Sequence, residues 1–286
     1  MLRQPVRVAS GPEAWSIFWD ETGLEGRCYV PGDVLGPLDE QWAHFAAKLP
    51  FGASVIDLGC GAGIVGRNLL GHRGDLQITG IDSARVPAPT HPQIKVLSSV
   101  SMETLPFDDN SFDAAVSQFG IEYGKIVETA PELERVLKPG ARFCFVVHHR
   151  DSETVGEGSA RRQALRALTS GPFKSAFLSG SLLRLDQQTR HLTKQYPSEP
   201  MVGLVSAHFH RKMDCTRAER QTIWQDLAES LDPEIWMLGR LEQSSMTADD
   251  LGRWLVPLLS RMSGVGASVV RLESGKPIGW NVHGVR

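Results

Sequence analysis

The sequence predicts an α/β protein with a mostly parallel sheet and helices on both of its faces. The first observation is the run ASVIDL (53–58), short, apolar and β-branched, which ends in glycines and gives way to the helical pattern GIVGRNLL. The second is that strand-like runs alternate with helical patterns up to about residue 150. The third is a terminal β-hairpin pattern, which makes the last strand antiparallel.

Four strands are predicted before residue 150, and they share an apolar, β-branched composition: 53–58, 76–82, 111–118 and 141–149. Between the last two, Pro131 to Leu137 is predicted to be an amphipathic helix segment, closed by the stop signal Lys138, Pro139 and Gly140. In a parallel sheet, ligands bind at the carboxyl ends of the strands. We therefore expect the functional residues directly after each strand.

After Arg150 the pattern becomes helical, and residues 151–246 are predicted to be a helical insertion that contains the capping box Thr216 to Glu219. A final helix is predicted to start at Thr247, with a kink or end at Pro257. The runs ASVVRLES and IGWNVHGV then form the hairpin.

Composition restricts the class of protein. The 286 residues carry a net charge of −3, which argues against recognition of nucleic acid by the whole surface. The four cysteines, Cys28, Cys60, Cys144 and Cys215, form no CxxC pair, so neither a zinc site nor a disulfide framework is predicted. The amino-terminal segment lacks the apolar region of a signal peptide. We therefore expect a soluble, cytoplasmic protein without a membrane span.

The glycine-rich segment after the first strand can be divided in two ways. Gly61-x-Gly63-x-x-Gly66 fits a dinucleotide loop, in which a helix N-terminus approaches a pyrophosphate. Asp57-x-Gly59-x-Gly61-x-Gly63 also accounts for the carboxylate at the strand end, which suits a ligand with an ammonium group. A tight strand-to-helix turn without a ligand needs glycine as well.

Asp82 ends the second strand, 23 residues after Gly59, where a carboxylate can accept hydrogen bonds from both ribose hydroxyls. This residue alone fits NAD equally well. The downstream runs METLPFDDNSFDAAVSQFGIEY and ELERVLKPGARFCFVV are not shared with NAD enzymes. With them, residues 50–150 resemble the class I (Rossmann-like) S-adenosylmethionine-dependent methyltransferases of the small-molecule type. The resemblance implies a seven-stranded sheet and S-adenosylmethionine as cofactor.

The resemblance also implies which residues hold the cofactor. Asp57, Gly59, Gly61 and Gly63 correspond to the motif that lines its methionine half. The remaining cofactor positions are Asp82 with Ser83 at the ribose, Met102 with Glu103 beside adenine, and Gln118 with Phe119 beneath the sulfonium region. A role as turn caps is the alternative for the two aspartates, and a core position is the alternative for Met102.

An enzyme that uses a sulfonium methyl group must align the acceptor and exclude water, and it needs a base only where the acceptor loses a proton. His148 and His149 are candidate bases at a strand end, and Tyr123 is a further pocket candidate. Trp15, Trp19 and Tyr29 precede the first strand and are predicted to wall the acceptor pocket or simply to pack on the sheet. No metal site is predicted, because His148 and His149 are adjacent strand residues, which point to opposite faces and so cannot readily bind one metal ion together.

We divide the chain into an amino-terminal cap (1–50), a cofactor-binding core (51–150), the insertion acting as a lid (151–246) and a carboxyl-terminal helix with hairpin (247–286). The predicted function is methyl transfer to an O or N atom of a small molecule. Two alternatives stay open: a cofactor-binding partner subunit without catalysis, and methylation of RNA or protein. The insertion has twelve Lys or Arg against seven Asp or Glu between residues 150 and 220, so an anionic acceptor is compatible with it.

Overall fold

The structure is a computed structural model that describes residues 11–23, 35–87 and 91–286. Tyr29 and Cys28 lie outside the described residues. The chain divides into a larger compact unit, Trp15–Val155 with Leu241–Arg286, and a smaller one that contains Gly156–Arg240. No helix in the described ranges combines the length and the apolar character that a membrane crossing requires.

The larger unit is built on one seven-stranded sheet with the strand order β3-β2-β1-β4-β5-β7-β6. Its strands are β1 (Ser54–Leu58), β2 (Gln77–Asp82), β3 (Ile94–Ser98), β4 (Phe112–Gln118), β5 (Leu137–His148), β6 (Ser263–Arg271) and β7 (Pro277–Val285). Among the strands of the described residues, β7 runs opposite to the other six, because it pairs antiparallel with both β5 and β6. The predicted fold class, including the antiparallel last strand, is confirmed.

Helices cover both faces of this sheet. They are α1 (Pro12–Thr22), α2 (Leu35–Ala46), α3 (Ile64–His72), the 3₁₀ helix Ile121–Tyr123, α4 (Ile126–Val136) and α10 (Ala248–Leu259). On one face Trp42 and Leu69 pack with Val55 in a buried cluster, and on the other Leu133 and Leu258 pack in a second cluster. Each face excludes water from apolar side chains, which stabilises the parallel strands between them.

Two local predictions differ from the structure. The strand β3 was not predicted, because IKVLS is a run of only five residues, two of them polar, at the edge of the sheet. The helix predicted for 131–137 begins earlier, at Ile126, and ends at Val136. The stop signal does end that helix, but Pro139 and Gly140 belong to the irregular start of β5, where the register with β4 shifts.

The smaller unit consists of helices. Its segment of the chain contains α5 (Glu153–Leu168), α6 (Gly171–Leu178), α7 (Leu182–Gln195), α8 (Pro200–His210) and α9 (Arg217–Ser244). Its core is aromatic: the Phe177 and Phe209 rings stack at a centroid distance of 4.0 Å. The predicted capping box precedes α9, since Thr216 N donates to Glu219 and Glu219 N donates to the Thr216 hydroxyl.

The helical segment leaves the sheet and returns to it at one place in the larger unit. Met246 N donates to His148 O (2.9 Å), and Arg150 N donates to Met246 O (3.0 Å). The Arg150 guanidinium also donates to Ser245 O (2.7 Å). These bonds join the end of β5 to the residues that precede α10, so both ends of the segment are fixed beside the carboxyl end of β5.

Candidate active site

A pocket of about 130 Å³ lies where β1, β2 and β4 end. This is the edge at which parallel α/β sheets bind ligands. The pocket is lined by Trp15, Trp19, Gly59, Asp82, Ser83, Met102, Glu103, Phe119, Gly120, Tyr123 and Gly124. The pocket therefore brings together residues from every strand end at which the sequence placed a cofactor contact.

The glycine loop after β1 requires its glycines for two physical reasons. Gly59, Gly61 and Gly63 all have left-handed backbone conformations, with φ of 65°, 49° and 74°. A Cβ at position 59 would lie 3.0 Å from Gly120 Cα, and a Cβ at position 61 would collide with the Trp19 indole. The loop can therefore approach the end of β4 and the Trp19 indole this closely only with glycine at positions 59 and 61.

Asp82 connects the end of β2 to this loop. Its Oδ2 accepts a hydrogen bond from Gly61 N (3.0 Å), and its Oδ1 accepts one from Ala84 N (2.9 Å). Burial raises the pKa of Asp82, while the two amide hydrogen bonds act in the opposite direction. Each carboxylate oxygen has a further lone pair, so Asp82 can hold the loop and still accept hydrogen bonds in the pocket.

Asp57, on β1, is buried at 1% exposure. Neither of its carboxylate oxygens has a hydrogen-bond partner among the described residues. Burial, followed by the charge of Asp82, raises the pKa of Asp57 to about 8. A buried carboxylate in this state is stabilised by a nearby cation, because the cation replaces the hydration that the group has lost. The strand end therefore suits a ligand that carries positive charge.

The last residue of β4 and the residue after it face different surroundings. Gln118 Oε1 accepts a hydrogen bond from Trp42 Nε1 (2.7 Å), so this side chain is engaged with α2, and it is not among the described residues that line the pocket. Phe119 has a positive φ of 55°, which is rare for a large side chain, and it lines the pocket. Its ring stacks on the His148 ring at 4.2 Å.

The two candidate bases are placed behind the pocket. His148 is buried, its Nδ1 has no hydrogen-bond partner among the described residues, and burial lowers its pKa to about 3. His149 stacks on Trp280 at 4.6 Å, its Nδ1 accepts a hydrogen bond from Asp151 N (3.0 Å), and burial lowers its pKa. Neither histidine is among the described lining residues. Tyr123 is the candidate catalytic side chain that reaches the pocket.

The adenine-side candidates pack against the turn that follows β4. Glu103 Oε1 accepts a hydrogen bond from Lys125 N (2.8 Å), and a Cβ at Gly124 would lie 2.6 Å from Met102 Sδ. Trp15 lies edge-to-face on Tyr123 at a centroid distance of 5.5 Å. These contacts fix one side wall of the pocket.

Sequence reasoning missed two residues at this site. Gly120 faces the glycine loop so closely that its Cβ would lie 2.7 Å from Leu58 O. Glu122 is buried, its Oε1 accepts a hydrogen bond from His148 N (2.9 Å), and its Oε2 has no partner among the described residues. Burial raises the pKa of Glu122 to about 8. The signal for Glu122 was an acid inside the apolar run FGIEY directly after a strand.

In the described part of the chain, His, Cys, Asp and Glu side chains form no cluster of three or more that could hold a metal ion.

Comparison with known proteins identifies the central segment. Residues 56–145 match the family described as a methyltransferase domain. The chain is 31% identical over 125 residues to the 2-phytyl-1,4-naphtoquinone methyltransferase of Nostoc punctiforme, covering 39% of this chain and 54% of the relative. It is 31% identical over 123 residues to the ubiquinone/menaquinone biosynthesis C-methyltransferase UbiE of Geobacter sp., covering 38% and 52%. The chain thus spans about half the length of these curated relatives.

Among solved structures, a SAM dependent methyltransferase from Aquifex aeolicus matches with a TM-score of 0.47 and 13% identity, covering 96% of this chain and 98% of that one. The resemblance to class I methyltransferases that the sequence indicated is confirmed by the family match at residues 56–145.

The buried Asp57 predicts a pH-dependent stability. Its pKa is 3.8 ordinarily and about 8 in the folded protein, so folding takes up a proton between these values and stability falls as the pH rises from 4 to 8. Asp57→Asn removes this titration. We expect its free energy of unfolding relative to the parent protein to increase from pH 5 to pH 8, by at most about 1.4 kcal/mol per pH unit. Urea unfolding at both pH values measures this.

The matched control is Asp249→Asn, which removes an exposed carboxylate from the first turn of α10. The difference in free energy of unfolding between this variant and the parent protein should be the same at pH 5 and pH 8. An equal pH response of the two variants would show that Asp57 ionises normally in the folded protein.

Proposed function

We propose that this chain catalyses methyl transfer from S-adenosylmethionine to a small-molecule acceptor. The observation that carries the proposal is the carboxylate pair at the glycine loop, with Asp82 in the pocket and Asp57 buried beside it without a partner among the described residues. S-adenosylmethionine carries an ammonium and a sulfonium group, both cationic. A dinucleotide would instead bring an anionic pyrophosphate to these two acids, which the charges disfavour.

The residues that would hold the cofactor follow from their positions. Asp82 would accept hydrogen bonds from the ribose hydroxyls, and Asp57 would neutralise the ammonium group. Met102 and Glu103 would flank adenine, and the Trp15 and Trp19 rings would lie near the sulfonium, where a cation is favoured over an aromatic face. When bound, the cofactor supplies the electrophilic methyl group. The remaining predicted contacts are Gly59, Gly61, Gly63, Ser83, Gln118 and Phe119.

Two observations bear on which atom of the acceptor is methylated. Our sequence interpretation favours O or N, whereas one relative is named a C-methyltransferase. Attack by an oxygen, or by a ring carbon beside a hydroxyl, needs the same loss of a hydroxyl proton. Tyr123 reaches the pocket and could receive a hydrogen bond from that hydroxyl. We propose that His148, neutral and stacked on Phe119, orients the aromatic wall, and His149 stays a second candidate base.

The test combines binding with turnover. Calorimetry should show S-adenosylmethionine binding with a Kd in the micromolar range, roughly −8 kcal/mol. A screen of small-molecule pools, RNA and protein with methyl-labelled cofactor should then transfer label to a small molecule. Tight NAD binding without S-adenosylmethionine binding would contradict the proposal. Cofactor binding without transfer to any pool would favour the partner-subunit alternative.

Asp82→Asn should weaken S-adenosylmethionine binding about tenfold or more. The amide keeps the shape of the side chain but loses the charge and one acceptor, and hydrogen bonds to charged groups contribute about 1.5–3 kcal/mol. Calorimetry measures the change, and circular dichroism checks the fold. Asp249→Asn is again the matched control and should bind with the parental affinity. Parental affinity in folded Asp82→Asn would refute the ribose role.

Trp19 should report cofactor entry. Pockets that bind small molecules usually enclose about 300–1,000 Å³, whereas this pocket of about 130 Å³ is narrowed by Trp15 and by Trp19, whose indole lies against Gly61. The indoles must therefore shift when the cofactor binds. We expect S-adenosylmethionine to change tryptophan fluorescence, and Trp19→Phe to remove much of that change. Trp254→Phe, on α10, is the control and should leave it intact. An equal fluorescence change in both variants would contradict a movement of the Trp19 indole on cofactor binding.

The insertion is proposed to govern acceptor choice. Its ends are joined at His148, Arg150, Ser245 and Met246, so a short linker between residues 151 and 245 is compatible with the larger unit. The deletion should leave S-adenosylmethionine binding largely intact, because the glycine loop and Asp82 lie outside it. It should abolish methylation of the true acceptor. A folded, cofactor-binding deletion variant that methylates that acceptor at the parental rate would exclude the lid role.

A further inference from the structure

A second cavity, of about 360 Å³, lies in the larger unit between α2 and the strands β5, β7 and β6. It is lined by Gln41, His44, Phe45, Lys48, Arg142, Phe143, Gly264, Asn281, His283, Gly284 and Val285. Arg142 pairs with Ala114 near the start of β4. The cavity therefore lies toward the amino-terminal end of the parallel strands and the carboxyl-terminal end of β7, and it shares no lining residue with the candidate active site.

The charges around this cavity have one sign. Lys48, Arg142 and His283 form no hydrogen bond or ion pair through their side chains with another described residue. His44 Nδ1 is engaged with Glu40 O, which leaves its Nε2 free for another contact. The described lining residues include no Asp or Glu. Cationic side chains on a surface usually lie near acids, so a wall of basic groups without one favours an anion.

The floor of the cavity supplies a polar group that is held in place. Cys144 Sγ donates to Asn281 Oδ1 (3.2 Å), and Gln41 Nε2 donates to Cys144 Sγ (3.5 Å). Burial raises the pKa of Cys144 to about 12, so the thiol keeps its proton and stays a donor. Asn281 is 8% exposed, and because its Oδ1 is occupied, its amide nitrogen is the group available to a ligand.

Glycines let neighbouring side chains pack closely beside the cavity. Gly264 and Gly284 line the cavity, and a Cβ at Gly284 would lie 2.6 Å from Phe143 Cζ, so this glycine makes room for the Phe143 ring. A Cβ at Gly266 would lie 2.9 Å from His283 Nε2, so only glycine at this position lets the imidazole lie across β6. His283 and Arg142 thus face the same space from β7 and β5, together with Lys48, which lies two residues after the end of α2.

We infer that this cavity binds a small molecule that carries a phosphate or pyrophosphate group. Arg142 offers a planar fork that matches phosphate oxygens, Lys48 offers a point charge, and His283 and Asn281 offer further N–H donors. The volume lies in the usual range for small-molecule sites, so the cavity has room for more than the anionic group alone. This site is independent of the methyl-transfer proposal, because none of its residues lines the other pocket.

The experiment uses the full chain and three anions: inorganic phosphate, inorganic pyrophosphate and citrate. Calorimetry at low salt should give a pyrophosphate Kd of about 1 mM or tighter, with weaker binding of phosphate and of the tricarboxylate citrate. The double variant Lys48→Gln/Arg142→Gln should lose at least tenfold in pyrophosphate affinity. The variant Arg142→Lys should retain more pyrophosphate affinity than the double variant but less than the parent protein, since lysine keeps the charge but not the planar fork.

The matched control is Lys95→Gln/Arg166→Gln, which removes the same charge from two exposed positions and should keep the parental affinity. The C2 proton of His283 in NMR spectra of the parental chain should shift on pyrophosphate addition, a measurement that needs no variant to fold. Absence of pyrophosphate binding, equal losses in both double variants, tighter binding of citrate, or an unshifted His283 would each overturn the inference. S-adenosylmethionine binding should be the same in all variants.

Discussion

The contact between the backbones of Gly59 and Gly120 is the constraint on which the candidate active site depends. The ends of β1 and β4 approach so closely that a single methyl group at either position would meet the other strand's backbone. Because of this approach, the glycine loop turns left-handed and its amide Gly61 N is directed to Asp82 on β2. One close packing contact thus brings three strand ends into a single pocket.

Two buried carboxyls are retained beside this contact at the expense of stability. Asp57 and Glu122 both have a pKa of about 8, because burial disfavours their charged forms. They differ in their surroundings: Glu122 accepts a hydrogen bond from His148 N, whereas Asp57 has no hydrogen-bond partner among the described residues and lies near a second acid, Asp82. Such an arrangement is stabilised when a cation binds, so Asp57 favours ligand binding over the stability of the free protein.

The sequence predicted the central strands well, because short β-branched runs bounded by glycine are distinctive. It missed β3, a five-residue edge strand whose side chains are mostly only partly buried or exposed. At the site it placed Asp82 and Phe119 at the pocket, since Asp82 ends β2 and Phe119 directly follows β4. It could not foresee that the His148 ring packs behind Phe119, or that Gln118 is engaged by Trp42, because side-chain direction at a strand end depends on tertiary neighbours.

The two cavities, at opposite edges of the sheet, have side chains of opposite charge beside them. Asp57, Asp82 and Glu103 lie at the carboxyl ends of the strands, and Lys48 and Arg142 lie at the other end. The net charge of −3 conceals this separation, because a sum over the chain cannot record where charges lie. Cations are favoured at the first edge and anions at the second. A cationic cofactor and a phosphate-bearing ligand would therefore not compete for one site, and occupancy of each can be measured in the presence of the other.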